Sequence, residues 1–231
     1  MHDTIDLTED EECSLESSHE ENEDWPRIRG IQYNTKTLIL GDSVTAGLHQ
    51  RKMAVDCECS QVLSISGLNR SSLLQNLKGT TPQPAVTTLV VHCGINDCKR
   101  GYVIGSRAWR VVISEVRRCF PKARIMLSSI LPHRDNHAHI NTCINDSNFY
   151  MKQACEQANV EFVDNDLAFF TKTGEMKTGW MRDEIHPNVR GSSGLAVSIK
   201  WAYSHGFFGT EPAQRPGPPS KSYANPTATN N

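Results

Sequence analysis

The sequence predicts an α/β fold in which helices cover both faces of a parallel β-sheet. Between about residue 35 and residue 205, short apolar segments alternate with longer amphipathic segments, which is the pattern of βαβ units. The short segments are almost continuously apolar, as is expected of parallel strands that are buried on both faces. Five such segments predict a flavodoxin-like three-layer α/β/α sandwich with a central five-stranded parallel sheet.

The order of the predicted elements indicates where a functional site should lie. The predicted strands cover residues 37–40, 61–66, 87–93, 123–129 and 160–164. Apolar side chains at helical spacing predict helices over residues 106–120, over residues 145–158 and after Gly191. Ligands of such sheets bind outside the carboxyl ends of the strands, so functional residues are expected directly after each strand.

Two terminal segments flank this predicted domain of residues 31–208. Residues 1–24 hold 11 of the 26 acidic residues of the 231-residue chain and no Lys or Arg. A segment this acidic cannot bury enough apolar surface to fold, so residues 1–30 are expected to form a disordered acidic tail. Residues 209–231 are rich in proline, and we expect a second disordered tail there.

Composition excludes several classes of protein. No apolar segment approaches the roughly 18 residues that would predict a transmembrane helix. The chain begins MHDTIDLTEDEEC, whereas a secretory signal is basic and then apolar. We therefore expect an intracellular protein, cytoplasmic or nuclear, without a transmembrane segment. The eight cysteines include no C-x-x-C pair, so they are expected to be reduced thiols and not zinc ligands.

Four short polar motifs occur where the predicted sheet would gather a site. Each alone is typical of an ordinary turn or helix cap. Three directly follow predicted strands and the fourth precedes the last helix; they are Gly41-Asp42-Ser43, Gly67, Gly94-Ile95-Asn96-Asp97 and Asp183-Glu184-Ile185-His186. Their occurrence together, in this order, favours a common functional site.

These motifs supply the groups that acyl transfer requires. A serine hydroxyl becomes a good nucleophile when an imidazole accepts its proton, and a carboxylate fixes the imidazole tautomer. Ser43, His186 and Asp183 are the candidates for these three roles. The oxyanion of the tetrahedral intermediate needs hydrogen-bond donors, which the Gly67 amide and the Asn96 side chain can provide.

By these four motifs the sequence resembles the SGNH (GDSL-type) hydrolase family over residues 37–204. The resemblance implies that Ser43 is both nucleophile and oxyanion donor, that Gly67 and Asn96 complete the oxyanion hole, and that Asp183 and His186 complete the triad. The segments TLILGDSVT, LVVHCGIND and DEIHPN are most similar to intracellular acetylhydrolases and to the esterase domains of LINE-type retrotransposons. No G-x-S-x-G motif is present, which argues against the α/β-hydrolase fold.

The sequence thus predicts a serine esterase that hydrolyses acetyl, short acyl or lipid esters through an acyl-enzyme, without a metal or other cofactor. The alternative is a catalytically weak SGNH-like domain that binds anionic lipid, nucleic acid or a protein. Trp180 and Met181, just before Asp183, are candidates for the wall of the substrate pocket, although ordinary packing explains them equally well. His133, His137 and His139 are interpreted as part of a polar loop and not as metal ligands.

Two further segments suggest macromolecular partners. Residues 99–124 carry eight basic side chains against one acid, Glu115, which fits either a solvated helix face or an anionic surface partner. In the acidic tail, Ile5-Asp6-Leu7-Thr8 is followed by four acidic residues and resembles a SUMO-interaction motif. In such motifs an extended segment adds to a sheet edge, which predicts weak SUMO binding, with a chance match as the alternative.

Overall fold

The computed structural model describes residues 28–49, 59–135 and 137–205. Its strands are β1 (Thr37–Gly41), β2 (Ser60–Ser64), β3 (Thr88–His92), β4 (Arg124–Ser128) and β5 (Glu161–Val163). Its helices are α1 (Ala46–His49), α2 (Arg70–Lys78), α3 (Ile95–Cys98), α4 (Ser106–Cys119), α5 (Ala138–Ala158), α6 (Asp166–Phe169) and α7 (Val189–His205). Within these residues, no helix has the length and apolar character needed to cross a membrane.

The five strands form one parallel sheet in the order β2-β1-β3-β4-β5. This confirms the predicted flavodoxin-like α/β architecture. Gly41, at the end of β1, pairs with Ser64 of β2 and with His92 of β3. The carboxyl ends of these three neighbouring strands are therefore level, and the loops that follow them lie at one edge of the sheet.

Two groups of helices complete the sandwich. Helices α2, α4 and α5 pack side by side, while α7 packs against α1 and α6. The inner face of α4 illustrates the packing, since Trp109, Val112, Ile113 and Val116 are all almost fully buried. Burial of a large aliphatic side chain stabilises the fold by about 1.5–3 kcal/mol, so this face anchors α4 on the sheet.

Strands β1, β3 and β4 are buried along nearly their whole length, as expected for central parallel strands. The expectation of burial on both faces is wrong for β2, whose residues are half-buried or exposed. The reason is its position at the edge of the sheet, where one side has no neighbouring strand.

Two helix boundaries differ from the predictions, and one further helix was not predicted. Helix α5 begins at Ala138, not at residue 145, because its first two turns expose polar side chains while Cys143 and Ile144 face inward. Helix α7 begins at Val189, where the Asn188 side chain accepts the first backbone N–H groups. Helix α2 was not predicted, although Leu73 and Leu77 lie on its buried face.

Three arginines of the basic segment 99–124 bind the carboxyl ends of helices. Arg117 donates to the last carbonyl of α5, Arg118 donates to Leu77 in α2 at 2.6 Å, and Arg124 donates to Ala202 in α7 at 2.8 Å. The last carbonyls of a helix lack helical partners and carry partial negative charge. Arg117 and Arg118 therefore join α4 to α5 and to α2, and Arg124 joins β4 to α7.

The terminal segments lie largely outside the described residues. The segment of Ile5, Asp6, Leu7 and Thr8 and the proline-rich residues 209–231 fall there. Ile28, the first described residue, is buried against the core, and its N–H donates to the Thr80 hydroxyl.

Candidate active site

The Ser43 side chain stands on a tight turn directly after the central strand β1. Residues Ser43–Thr45 form one 3₁₀ turn, and the Asp42 side chain accepts a hydrogen bond from the Val44 N–H at 3.0 Å. The Asp42 N–H donates to the His92 carbonyl at 3.1 Å, which ties the turn to β3. Ser43 is consequently held at the carboxyl edge of the sheet, with its side chain partly exposed.

His186 and Asp183 reach Ser43 from a loop 143 residues further along the chain. The Ser43 Oγ lies 2.8 Å from Nε2 of His186. The other ring nitrogen, Nδ1, lies 2.9 Å from both carboxylate oxygens of Asp183. With the proton on Nδ1, the ring donates to Asp183 and can accept the Ser43 hydroxyl proton at Nε2.

The Asp183 carboxylate is stabilised in its charged form. Partial burial alone would raise its pKa, but hydrogen bonds from the N–H groups of His186 and Ile185 and from the His186 ring outweigh burial and lower the pKa to about 2. The backbone bonds measure 2.8 and 3.1 Å. Asp183 is therefore ionised at every pH at which an esterase works.

Asp42, by contrast, is a buried carboxyl with little compensation. It is fully inaccessible to solvent, and its Oδ2 has no hydrogen-bond partner among the described residues. Burial raises its pKa to about 7, and the nearby Asp97 carboxylate adds to the rise while the Val44 N–H opposes it. The sequence alone indicates only a turn residue at Asp42, because its complete burial depends on elements distant in the chain.

Gly67 and Asn96 follow the two strands that flank β1. Gly67 adopts a positive φ of 73°, which favours glycine. Asn96 lies in the first turn of α3, and its Nδ2 donates to the Leu68 carbonyl at 2.9 Å. One hydrogen of this amide nitrogen remains available to a ligand, because each side-chain amide carries two N–H donors.

The loop that carries Asp183 and His186 is fixed by close packing of the preceding segment on α7. The Trp180 ring lies against Gly194, and the Trp180 carbonyl lies against Gly191, at positions that a β-carbon would occupy. Trp180 also contacts the Phe169 ring, and Met181 is buried in the core. The structure thus places Trp180 and Met181, the two candidates for a pocket wall, in packing contacts around this loop.

A cavity of about 440 Å³ opens beside the same loop. Its walls come from the segment after β4, the start of α5 and the residues after α6, and they include Ile130, Ile144, Phe170 and Met176. Such a volume is in the range of small-molecule sites. Neither Trp180 nor Met181 lines it. No sequence signal indicated this cavity, since its shape depends on three loops.

The histidine run after β4 is only partly a loop. His133 is buried, and its Nε2 lies 3.6 Å from the Glu184 carboxylate, within the Asp183–His186 motif. The Arg134 N–H donates to the Glu184 carbonyl at 2.8 Å. His139 lies in the first turn of α5 and is exposed. This run therefore contacts and supports the motif that carries His186. Within the described residues, no cluster of three or more potential ligands is placed to hold a metal.

The sequence and the fold identify the family. A model of the GDSL-like lipase/acylhydrolase family matches residues 39–193, which is more than half of the chain. The chain belongs to this family. The family match and the serine motif at the carboxyl edge of the sheet together define the protein as a hydrolase of carboxylic esters.

Solved structures share the fold at low sequence identity. A GDSL-like lipase from Bacteroides thetaiotaomicron has a TM-score of 0.61 at 16% identity, over 76% of this chain and 90% of the other. An acetylxylan esterase from Geobacillus stearothermophilus, solved as a catalytic mutant, has a TM-score of 0.56 at 20% identity, over 71% and 92%. A lipolytic G-D-S-L protein from Veillonella parvula has a TM-score of 0.58 at 15% identity, over 74% and 98%. A comparison with curated proteins gave no match.

Proposed function

We propose that the protein is a serine esterase in which Ser43, His186 and Asp183 form the catalytic triad. The observation that carries this proposal is the continuous series of hydrogen bonds from the Ser43 hydroxyl through both nitrogens of His186 to Asp183. The substrates are acetyl, short acyl or lipid esters. None of Ser43, Gly67, Asn96, Asp183 and His186 lines the cavity of about 440 Å³, so this cavity is not assigned to the substrate.

The reaction proceeds through an acyl-enzyme. Ser43 Oγ attacks the ester carbonyl carbon while its proton moves to Nε2 of His186, and Asp183 stabilises the resulting imidazolium. The N–H groups of Ser43 and Gly67 and the amide of Asn96 stabilise the oxyanion of the intermediate. The intermediate collapses as His186 returns the proton to the leaving alcohol. Water, activated by the same imidazole, then releases the carboxylic acid.

A serine-reactive fluorophosphonate probe tests the nucleophile. The probe should label the full chain at Ser43, and hydrolysis of p-nitrophenyl acetate should be lost in Ser43→Ala and in His186→Ala with the fold intact. Because triad members act as a unit, the double variant should be scarcely slower than either single variant. Additive losses would show that the two residues do not act together.

The alternative function is a binding module of the same fold. It requires that the probe leave Ser43 unlabelled and that hydrolysis equal that of Ser43→Ala. The hydrogen bonds that lower the pKa of Asp183 and orient the His186 ring favour the enzyme, since a binding site has no need of an oriented imidazole.

Partners and location stay predictions. SUMO binding by Ile5, Asp6, Leu7 and Thr8 lies outside the described residues and is tested by titrating labelled SUMO with a peptide of residues 1–16. An anionic surface partner of residues 99–124 has less support than the sequence suggested, because Arg117, Arg118 and Arg124 bind helix ends. An intracellular location is likewise a proposal from the sequence.

A further inference from the structure

Gly67 and Asn96, the two candidate oxyanion donors besides Ser43, lie on segments that are hydrogen-bonded to each other. Nδ2 of Asn96 donates to the carbonyl of Leu68, the residue that directly follows Gly67. An amide that faces a carbonyl must present its nitrogen, so this bond sets the orientation of the Asn96 side chain. The Gly67 loop therefore carries one donor and orients the other.

A second hydrogen bond closes this contact from the opposite direction. Oδ2 of Asp97 accepts the backbone N–H of Arg70 at 2.9 Å. Arg70 is the first residue of α2, and its N–H has no partner within its own helix. Asp97 thus caps α2 from a different element, and Leu68 and Arg70 are bound to adjacent residues of α3.

We propose that Asp97 is a positioning residue of the esterase site: it holds the Gly67 loop against the Asn96 turn so that both donors face the same oxyanion. This rests on the function proposed above. The helix cap within the same segment makes the proposal specific, since the Asn69 side chain already accepts the Ser72 N–H at 2.9 Å. Helix α2 therefore has its own cap, and the bond to Asp97 is additional.

The charge around Asp97 is consistent with this role. Partial burial raises the pKa of its carboxyl, and the Arg70 N–H together with the cationic side chains of Arg70 and Arg100 opposes the rise. A carboxylate at the amino end of a helix also interacts favourably with the helix dipole. The bond between Asp97 and Arg70 is accordingly a contact between a charged acceptor and a well-placed donor.

Two variants remove this bond from its two sides. Asp97→Ala removes the acceptor. Arg70→Pro removes the N–H and should leave α2 intact, because proline is favoured at the first position of a helix and Asn69 already has the extended backbone, φ −120° and ψ 175°, that a following proline requires. Asn69→Ala is the matched control, since it weakens α2 through the other cap.

With p-nitrophenyl acetate and the full chain, Asp97→Ala and Arg70→Pro should each lower kcat by about 10- to 100-fold, with KM nearly unchanged. The double variant should be no slower than either single one. Asp97→Asn should retain most of the rate, because its carbonyl oxygen can still accept the Arg70 N–H. Asn69→Ala should lower the melting temperature without this loss of kcat.

Amide NMR of the same variants gives a readout that does not need activity. In Asp97→Ala and Arg70→Pro the resonances of the Gly67 N–H and the Asn96 side-chain amide should shift together, and in Asn69→Ala they should not. Unchanged kcat and unchanged Gly67 and Asn96 resonances in both variants would overturn the proposal, as would a loss in Asn69→Ala equal to that in Asp97→Ala. Full activity of Ser43→Ala would instead overturn the proposed triad.

Discussion

Two carboxyl groups within this site have opposite environments. Asp183 receives two backbone N–H bonds and the His186 ring, and its pKa falls to about 2. Asp42 is buried with one oxygen unpartnered among the described residues, and its pKa rises to about 7. These opposite shifts separate the charges of the two groups: Asp183 is the anion that contacts His186, while Asp42 is largely protonated only below about pH 7.

Replacement of Asn96 by alanine should lower kcat for a small ester by about 10²- to 10³-fold. The apparent substrate affinity should change little, because negative charge on the oxygen develops only during attack. Steady-state kinetics on p-nitrophenyl acetate measures both quantities. An unchanged kcat would show that the free amide hydrogen of Asn96 points away from the oxyanion.

Asp42 should make the stability of the protein fall as the pH rises. The folded pKa is about 7 against 3.8 for the free side chain, so between these values the folded chain keeps a proton that the unfolded chain has lost. The free energy of unfolding should therefore fall between about pH 4 and pH 7 and level off above, by up to about 4 kcal/mol.

Urea denaturation across this pH range measures the effect. Asp42→Asn keeps an oxygen that can accept the Val44 N–H but has no charge to develop. The free energy of unfolding of this variant should therefore lack the fall between about pH 4 and pH 7 that Asp42 contributes. Parallel profiles for the two proteins would mean that Asp42 ionises at its ordinary pKa.

Helix α7 shows how one element positions a loop of the site. Its glycines at positions 191 and 194 leave space for the Trp180 carbonyl and ring, and the Asn188 N–H donates to the same carbonyl at 2.9 Å. The segment before Asp183 is thus packed directly on the helix backbone. Glycine in a helix interior ordinarily destabilises it by about 0.5–1 kcal/mol relative to alanine, so close packing explains these positions.

Gly191→Ala should therefore destabilise the protein, by about 1–3 kcal/mol, although Gly→Ala in a helix usually stabilises it. A β-carbon at this position would lie 2.3 Å from the Trp180 oxygen, and a backbone atom cannot move independently of its loop. Displacement of His186 should lower kcat as well. Thermal unfolding and ester kinetics measure the two effects.

Gly179→Ala is the control for this prediction. It lies beside Trp180, but a β-carbon there would meet nothing within 4 Å. It should leave kcat and the melting temperature near the wild-type values. Gain of stability in Gly191→Ala would show that α7 and the Trp180 segment can separate without consequence.

At the level of the whole chain, the sequence predicted the fold because its signals are local. Continuous apolar segments define β1, β3 and β4, and the four motifs follow the strands in the order that a parallel sheet brings together. The edge position of β2 was missed because strand order is not a local property. The contact between Asp97 and Arg70 was missed for a similar reason, since nothing in either residue indicates a partner 27 positions away.

The cavity beside the loop could not be predicted at all. Its walls combine the segment after β4, the first turns of α5 and the residues after α6, and these meet only through the packing of the whole domain. Motif spacing can therefore indicate the proposed triad of this chain, whereas the shape of this cavity requires coordinates.

The separation of 143 residues between Ser43 and His186 has a consequence for the synthesis of the protein. The nucleophile leaves the ribosome early, and at about 5–20 residues per second its base follows on the order of 10 s later. A nascent chain that ends before the Asp183–His186 loop carries a serine without an imidazole. Under the proposed triad such a chain cannot activate its hydroxyl, so esterase activity should appear only when translation of the domain is nearly complete.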